Sequence, residues 1–180
     1  MSIANQIERL RLSLPSGVRL LAVSKFHPAE AVMQAYEAGQ RAFGESRVQE
    51  LQIKYEALPK DIEWVMIGHL QTNKVRQVVG KVDLIQSVDS QRLLQAIQKE
   101  AARQGICQEI LLEVNVGREE SKSGFSAEEI PGLVEHFDRF PNICLRGLMA
   151  IPPIMTDIST QKEYFQKITF HIRIFIIHYY

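Results

Sequence analysis

The sequence predicts an α/β fold with an all-parallel sheet, arranged either as an open doubly wound sheet or as a closed (β/α)8 barrel of the TIM type. Three observations lead to this prediction. Short apolar runs, typical of buried parallel strands, recur along the chain, and amphipathic stretches with helical periodicity separate them. No Gly-rich phosphate-binding motif follows any of the runs, which counts against the nucleotide-binding open sheets and favours the barrel.

Six strand–helix units can be placed along the chain, preceded by one further helix. The predicted strands cover 19–23, 41–44, 64–68, 84–88, 110–116 and 144–151; the predicted helices cover 3–12, 28–39, 47–58, 71–79, 90–104 and 127–140. Asp89 or Ser90 suits a helix N-cap, and Gly105 suits a helix end. Ser46 with Gln49 has the spacing of a capping box, as has Ser126 with Glu129. Since a complete barrel needs about 200 residues or more, the chain after residue 151 is too short for two further units.

Composition and charge are those of an ordinary globular protein. The chain has 180 residues, of which 46% are hydrophobic and 23% charged, and 21 basic residues balance 21 acidic ones. A chain without net charge gives no support for general electrostatic binding to nucleic acid or to an anionic membrane. No secretion signal and no membrane-spanning run are present, so we expect a cytoplasmic protein. Cys107 and Cys144 are predicted to be small buried thiols in a reducing compartment.

Lys25 raises the first chemical question. It closes the apolar stretch VRLLAVSKF, residues 18–26, at the carboxyl end of the first predicted strand. In a barrel, that end of each strand faces the active mouth. A partly desolvated lysine there becomes a neutral amine that can attack a carbonyl group. The structural alternative, more common for lysines at strand ends, is that the long stem simply carries the ammonium to water.

Three other strand ends carry features that suit a ligand pocket. Ser46 follows the second strand, Gly68 ends the third, and Met149 lies near the end of the sixth. Gly68 would allow a ring or a backbone to approach closely, whereas Met149 at such a place is most often packing. His69 has no metal-ligating residue at a suitable spacing, so no metal site is predicted. From the residues alone, the prediction is an α/β barrel with an amine nucleophile as one possibility.

Six motifs in a fixed order resemble the pyridoxal phosphate homeostasis protein family. They are LLAVSKFHPAEAV, AYEAGQRAFGESRVQEL, IGHLQTNK, QSVDS, VNVGREESKSGF and LRGLMAIPP, and the resemblance covers about residues 2–168. The family in turn is similar to the barrel domain of alanine racemase, standing alone. The resemblance implies that Lys25 holds pyridoxal 5'-phosphate (PLP) as a Schiff base, and that Ser46, Gly68 and Met149 line the pocket of the cofactor ring.

The implied function is a non-catalytic one. Members of the family are thought to carry or buffer PLP and related B6 vitamers, with PLP-requiring apo-enzymes as possible recipients. Two alternatives stay open, namely a racemase-like enzyme that acts on amino acids and a defective fragment that retains no PLP. A racemase needs a second acid–base group on the opposite face of the ring.

The sequence departs from the family pattern in three places. Ser46 stands where members usually have asparagine, and Val65 stands where they usually have histidine. The serine- and glycine-rich segment and the Arg-x-Gly motif that would cradle the phosphate do not occur. We therefore expect residues 1–168 to form an incomplete PLP-binding barrel whose last two strands are missing or replaced, followed by an atypical apolar tail at 169–180. Weaker retention of PLP is the expected consequence.

Overall fold

The structure is a computed structural model that describes residues 2–115 and 123–151 of the chain. The charged loop at 116–122, the predicted domain limit at residue 168 and the predicted tail at 169–180 lie outside the described residues.

Six strands form a single parallel sheet in the described part of the chain. They are β1 (Ala22–Val23), β2 (Ala42–Glu45), β3 (Glu63–Met66), β4 (Leu84–Val88), β5 (Gln108–Glu113) and β6 (Ile143–Met149). Each strand pairs in parallel with the next one along the chain, so the spatial order equals the sequence order. This sequential parallel order, with helices in the connections, confirms the predicted fold class and corresponds to six units of a (β/α)8 barrel.

Helices occupy most of the connections between these strands. They are α1 (Ile3–Ser13), α2 (Ala29–Glu37), α3 (Val48–Ala57), α4 (Gln91–Gln104) and α5 (Glu129–Glu135), with 3-10 turns at Thr72–Gln77 and Phe137–Arg139. The stretch predicted as a helix at 71–79 is thus a 3-10 helix. Three residues per turn place Val75 and Val78 on one side, and both side chains are buried there.

The sheet buries side chains on both of its faces. The outer face packs against the helices through residues such as Phe43, Trp64 and Ile110. The alternate residues point to the inner face, because successive side chains of a strand lie on opposite sides. Val65 and Leu111 lie on that face and are buried without belonging to the layer between sheet and helices. The inner wall of the barrel is therefore largely apolar.

Local signals placed several element ends correctly. The Ser90 hydroxyl accepts the Leu93 N–H at 3.4 Å and caps α4, which ends at Gly105 with a left-handed φ of 68°. Ser126 and Glu129 form the two reciprocal hydrogen bonds of the predicted capping box, at 2.8 and 3.3 Å. The helix nevertheless begins later than predicted, because α5 starts at Glu129 with Glu128 in the N-cap position.

The capping box predicted at Ser46 is wrong. Arg47 occupies the N-cap position of α3, and its side chain makes no capping hydrogen bond. The chain stays extended one residue longer than the pattern suggests, and Ser46 instead lies against the end of β3. Tertiary contact thus overrides the local capping signal at this strand end.

The prediction of two separate, buried thiols is also wrong. Cys107 and Cys144 are joined by a disulfide, with their Cα atoms 6.0 Å apart. Cys107 is exposed and Cys144 half-buried. Parallel pairing of β5 with β6 places Glu109 opposite Cys144, and this register brings the two cysteines together near the amino ends of the strands. The disulfide therefore lies at the pole opposite the carboxyl ends.

Candidate functional site at the carboxyl ends of the strands

The four residues predicted to bind a cofactor lie at the carboxyl ends of their strands. Lys25 follows β1 by two residues, Ser46 follows β2 directly, Gly68 lies two residues past β3, and Met149 is the last residue of β6. Because all strands are parallel, these ends meet at one pole of the sheet. Lys25, Ser46 and Gly68 belong to neighbouring strands, whereas Met149 belongs to the last described strand.

Lys25 stands where the chain leaves the sheet and turns. The Ser24 N–H donates to the Gly44 carbonyl at 2.9 Å, so the pairing of β1 with β2 continues up to the residue before the lysine. The His27 N–H then donates back to the Ser24 carbonyl at 3.1 Å. Lys25 itself is half-buried. The lysine is therefore partly removed from water at the carboxyl end of β1.

A buried charged network supports this turn from the helix side. Lys54 of α3 donates to Glu45 Oε1 at 2.5 Å and to the Ser24 carbonyl at 2.8 Å. The Ser24 hydroxyl donates to the same Glu45 oxygen at 2.7 Å. The side chains of Lys54 and Glu45 are 7% and 0% exposed, so this ion pair is almost completely removed from water. Breaking such a buried pair typically costs about 3–5 kcal/mol.

Sequence reasoning missed this network. A signal was present, because Lys54 lies on the apolar stripe of its helix, three residues after Leu51 and four before Leu58, both of which are buried. A lysine at such a position needs a buried partner. The identity of that partner depends on the pairing of β1 with β2, which the sequence does not show.

Gly68 and Ser46 are in direct contact. A Cβ atom at Gly68 would lie 2.3 Å from the Ser46 carbonyl oxygen and 2.8 Å from the Ser46 Cβ. The glycine thus permits the close approach of a neighbouring backbone, one of the two alternatives that the sequence left open. The contribution of both residues to a ring pocket stays a prediction.

Met149 lies at the carboxyl end of β6, the last strand of the described sheet. It pairs with Glu113 of β5, is 1% exposed and lies on the inner face. Burial raises the pKa of the Glu113 carboxyl, and the nearby Asp89 charge raises it further, while His69 lowers it. His69 Nδ1 lies 2.8 Å from Asp89 Oδ2. These three groups form a polar cluster at the ends of β3, β4 and β5 that sequence reasoning did not identify.

The described residues fit a flat ligand that carries a carbonyl group. Lys25 brings a primary amine to the carboxyl end of a sheet whose inner face includes the buried side chains of Val65 and Leu111. Gln86 adds a buried amide, whose two polar atoms have no hydrogen-bond partner among the described residues. It lies on β4 directly after Ile85, which packs on the outer face. An amine, apolar walls and one free amide suit a heteroaromatic aldehyde such as PLP.

Two negative findings apply to residues 2–115 and 123–151. No group of three or more His, Cys, Asp or Glu side chains there is placed to hold a metal ion. No helix in that part of the chain is long and apolar enough to cross a membrane.

The sequential parallel sheet, with a lysine at the end of its first strand, defines the class of protein as a barrel domain of the alanine racemase type. The chain belongs to the alanine racemase N-terminal domain family, whose sequence profile matches residues 1–177. An alanine racemase from Clostridium difficile 630 has the same fold, with a TM-score of 0.79 at 12% identity, over 98% of this chain and 50% of that one.

More similar relatives are small proteins of this family. The pyridoxal phosphate homeostasis protein of Aquifex aeolicus (strain VF5) is 45% identical over 151 residues, which are 83% of this chain and 66% of that protein. PipY of Synechococcus elongatus PCC7942, solved without PLP, is 35% identical with a TM-score of 0.89, over 94% of this chain and 80% of that one. The same protein, solved with PLP bound, is 34% identical with a TM-score of 0.84, over 94% and 79% of the two chains. This chain thus spans about two thirds of the length of the Aquifex relative.

Proposed function

We propose that this protein binds PLP covalently through Lys25 and serves as a non-catalytic carrier or buffer of PLP. The observation that carries the proposal is the place of Lys25, half-buried at the carboxyl end of β1. Support comes from the name of the Aquifex relative and from the PipY structure with PLP bound. Related B6 vitamers are expected as further ligands, and PLP-requiring apo-enzymes as recipients.

When bound, PLP supplies an aldehyde that condenses reversibly with a primary amine and releases one water. The role of the chain is to present the Lys25 nitrogen at the mouth and to limit the access of water to it. Gly68 and Ser46 would form the adjoining wall, since they are packed against each other on the neighbouring strands. Met149 would contribute an apolar surface from β6, where it is almost completely buried.

A reversible bond to Lys25 is sufficient for storage and delivery. Lys25 would hold the cofactor while it is stored, and its amine would be free again once the cofactor has passed to another primary amine. A racemase would in addition have to remove a Cα proton from one face of the substrate and return it on the other. The alanine racemase type of fold makes amino-acid racemisation the second candidate.

The proposal is tested by an absorption titration of the purified protein with PLP. The parent chain and the variant Lys60→Ala, which lacks an exposed lysine of another region, are expected to show the same saturable visible band. Lys25→Ala is expected to show none. A parent that develops no saturable band would contradict the proposal and support a chain that does not retain PLP.

Adding L-alanine to the PLP-loaded protein in deuterated water distinguishes a racemase from a non-catalytic carrier. The proposal predicts no deuterium at Cα beyond the level given by free PLP. Deuterium incorporation that depends on Lys25 would contradict the non-catalytic assignment.

A further inference from the structure

Two side chains of α3 hold the backbone on both sides of Lys25. Glu50 Oε2 accepts the Phe26 N–H at 3.1 Å, and Lys54 Nζ donates to the Ser24 carbonyl at 2.8 Å. Glu50 and Lys54 lie four residues apart on one helix, so they face the same side, and their charged groups are 4.0 Å from each other. The residues directly before and after Lys25 are therefore both held, through their backbone, by side chains of a single helix.

The backbone next to Lys25 is strained, and the same helix holds it. Phe26 has a φ of 65°, the only positive φ of a non-glycine residue in the described part of the chain. This left-handed conformation is unfavourable for a residue with a Cβ and persists only where surrounding contacts impose it. Besides the bond to Glu50, the Arg47 guanidinium lies over the Phe26 ring at 4.8 Å. The helix thus maintains a turn that the chain would not adopt by itself.

The bond on the other side of Lys25 is part of the buried network. Lys54 Nζ donates both to the Ser24 carbonyl and to Glu45 Oε1. The Ser24 hydroxyl donates to the same Glu45 oxygen at 2.7 Å. Buried ion pairs of this kind add little net stability compared with apolar packing. They do impose a definite geometry, because any displacement leaves a charge unpaired in the interior. Here the geometry imposed is the position of the strand end that precedes Lys25.

We propose that Glu50 and Lys54 are positioning residues for the Lys25 amine. They fix the backbone on either side of the lysine, so that its stem emerges into the barrel mouth in one direction. A backbone that moved at Ser24 or Phe26 would turn the Cα–Cβ bond of Lys25, and the free energy needed to restore the bonding direction would lower the affinity for the ligand. The inference rests on the proposed function, because it takes Lys25 as the residue that bonds the aldehyde.

Substitution of Glu50 gives the sharpest test. Glu50→Ala removes the acceptor of the Phe26 N–H, and we expect the dissociation constant of PLP, measured by the same titration, to rise about fivefold to tenfold. Glu50→Gln keeps an amide oxygen at that place and is expected to stay within about twofold of the parent. The matched control is Glu129→Ala on α5, where a glutamate accepts the Ser126 N–H at 2.8 Å. This control is expected to bind PLP as the parent does.

A second variant tests the other side of Lys25. Lys54→Met alone would leave Glu45 buried without a partner, so it is combined with Glu45→Gln to keep the interior neutral. The double variant lacks the donor to the Ser24 carbonyl, and we expect a similar loss of PLP affinity with cooperative thermal unfolding retained.

The outcomes separate this inference from the proposed function. A parent that shows no Lys25-dependent binding would overturn the proposed function and the inference with it. A parent that binds while Glu50→Ala and the double variant bind equally well would overturn the inference alone. If Glu50→Ala and Glu129→Ala both lost PLP affinity in proportion to the decrease in their melting temperatures, the inference would also be overturned. Selective loss in Glu50→Ala, with recovery in Glu50→Gln, would support it.

Discussion

Replacement of Gln86 by leucine should stabilise the protein. Gln86 is completely buried on β4, and both atoms of its amide lack a hydrogen-bond partner among the described residues. Burying an unpaired amide costs about 1–3 kcal/mol in mutational studies, and leucine of similar size removes that cost while it keeps the apolar contacts. We therefore expect the free energy of unfolding to rise by about 1–3 kcal/mol in Gln86→Leu.

Two other buried glutamines provide matched controls. The Gln40 amide donates to the carbonyls of Leu20 and Ala42, at 2.8 Å each. The Gln108 side chain accepts the Gly80 N–H at 3.1 Å, and its amide also donates to neighbouring backbone carbonyls. Leucine at either position leaves buried backbone groups unpaired. These variants should lose about 1–3 kcal/mol each, so the sign of the effect separates them from Gln86→Leu.

The assay is urea denaturation of the ligand-free protein, evaluated by linear extrapolation. A gain in stability should appear as a higher midpoint with an unchanged slope. A loss of more than about 1 kcal/mol in Gln86→Leu would refute the reasoning, because it would mean that the amide has a partner such as an ordered water.

Three further predictions concern separate parts of the fold. Gly68→Ala should lose about 1–3 kcal/mol in urea denaturation, since its Cβ would lie 2.3 Å from the Ser46 carbonyl oxygen. Cys144→Ser removes a disulfide that spans 37 residues, and should lose about 4 kcal/mol by the loop-entropy relation in the same assay. Hydrogen bonding to Arg103 contributes most to lowering the pKa of Glu100, from 4.5 to about 2. The contribution of the Glu100 carboxylate to the free energy of unfolding is thus complete above pH 4.5 and is lost as the pH falls towards 2. Glu100→Gln should therefore make the free energy of unfolding depend less on pH in that interval.

The controls for these predictions come from the same chain. Gly132→Ala places a Cβ on α5 with no atom within 4 Å, and should gain up to about 1 kcal/mol, unlike Gly68→Ala. A reductant should lower the stability of the parent as much as Cys144→Ser does. Equal stability of the parent with and without reductant, or an acid limb unchanged in Glu100→Gln, would contradict the corresponding prediction.

Strong local patterns predicted the fold well. The strand predicted at 84–88 is β4 with the same limits, and α4 begins after Ser90 as its capping signal indicates. At β1 the prediction was too long, because β1 covers only Ala22–Val23 and the three residues before it do not pair with β2. Pairing with a neighbour, rather than apolar character, determines where a strand begins.

The site could be predicted only in part, for a related reason. Lys25 is visible in the sequence because it ends an apolar run. Glu50 and Lys54 are not, because their contacts with Phe26 and Ser24 join residues 24 and 30 positions apart. The disulfide depends in the same way on the register of β5 and β6. Contacts of this kind follow from how the elements assemble and leave little trace in local patterns.

The central claim is that Lys25, among the nine lysines of the chain, is the one that bonds PLP. The most direct measurement is borohydride reduction of the PLP-loaded protein, followed by proteolysis and mass mapping of the modified lysine. We expect a single stoichiometric modification on the peptide that contains Lys25, and none at that place in Lys25→Ala. Modification spread over exposed lysines, or concentrated on a lysine other than Lys25, would contradict the claim.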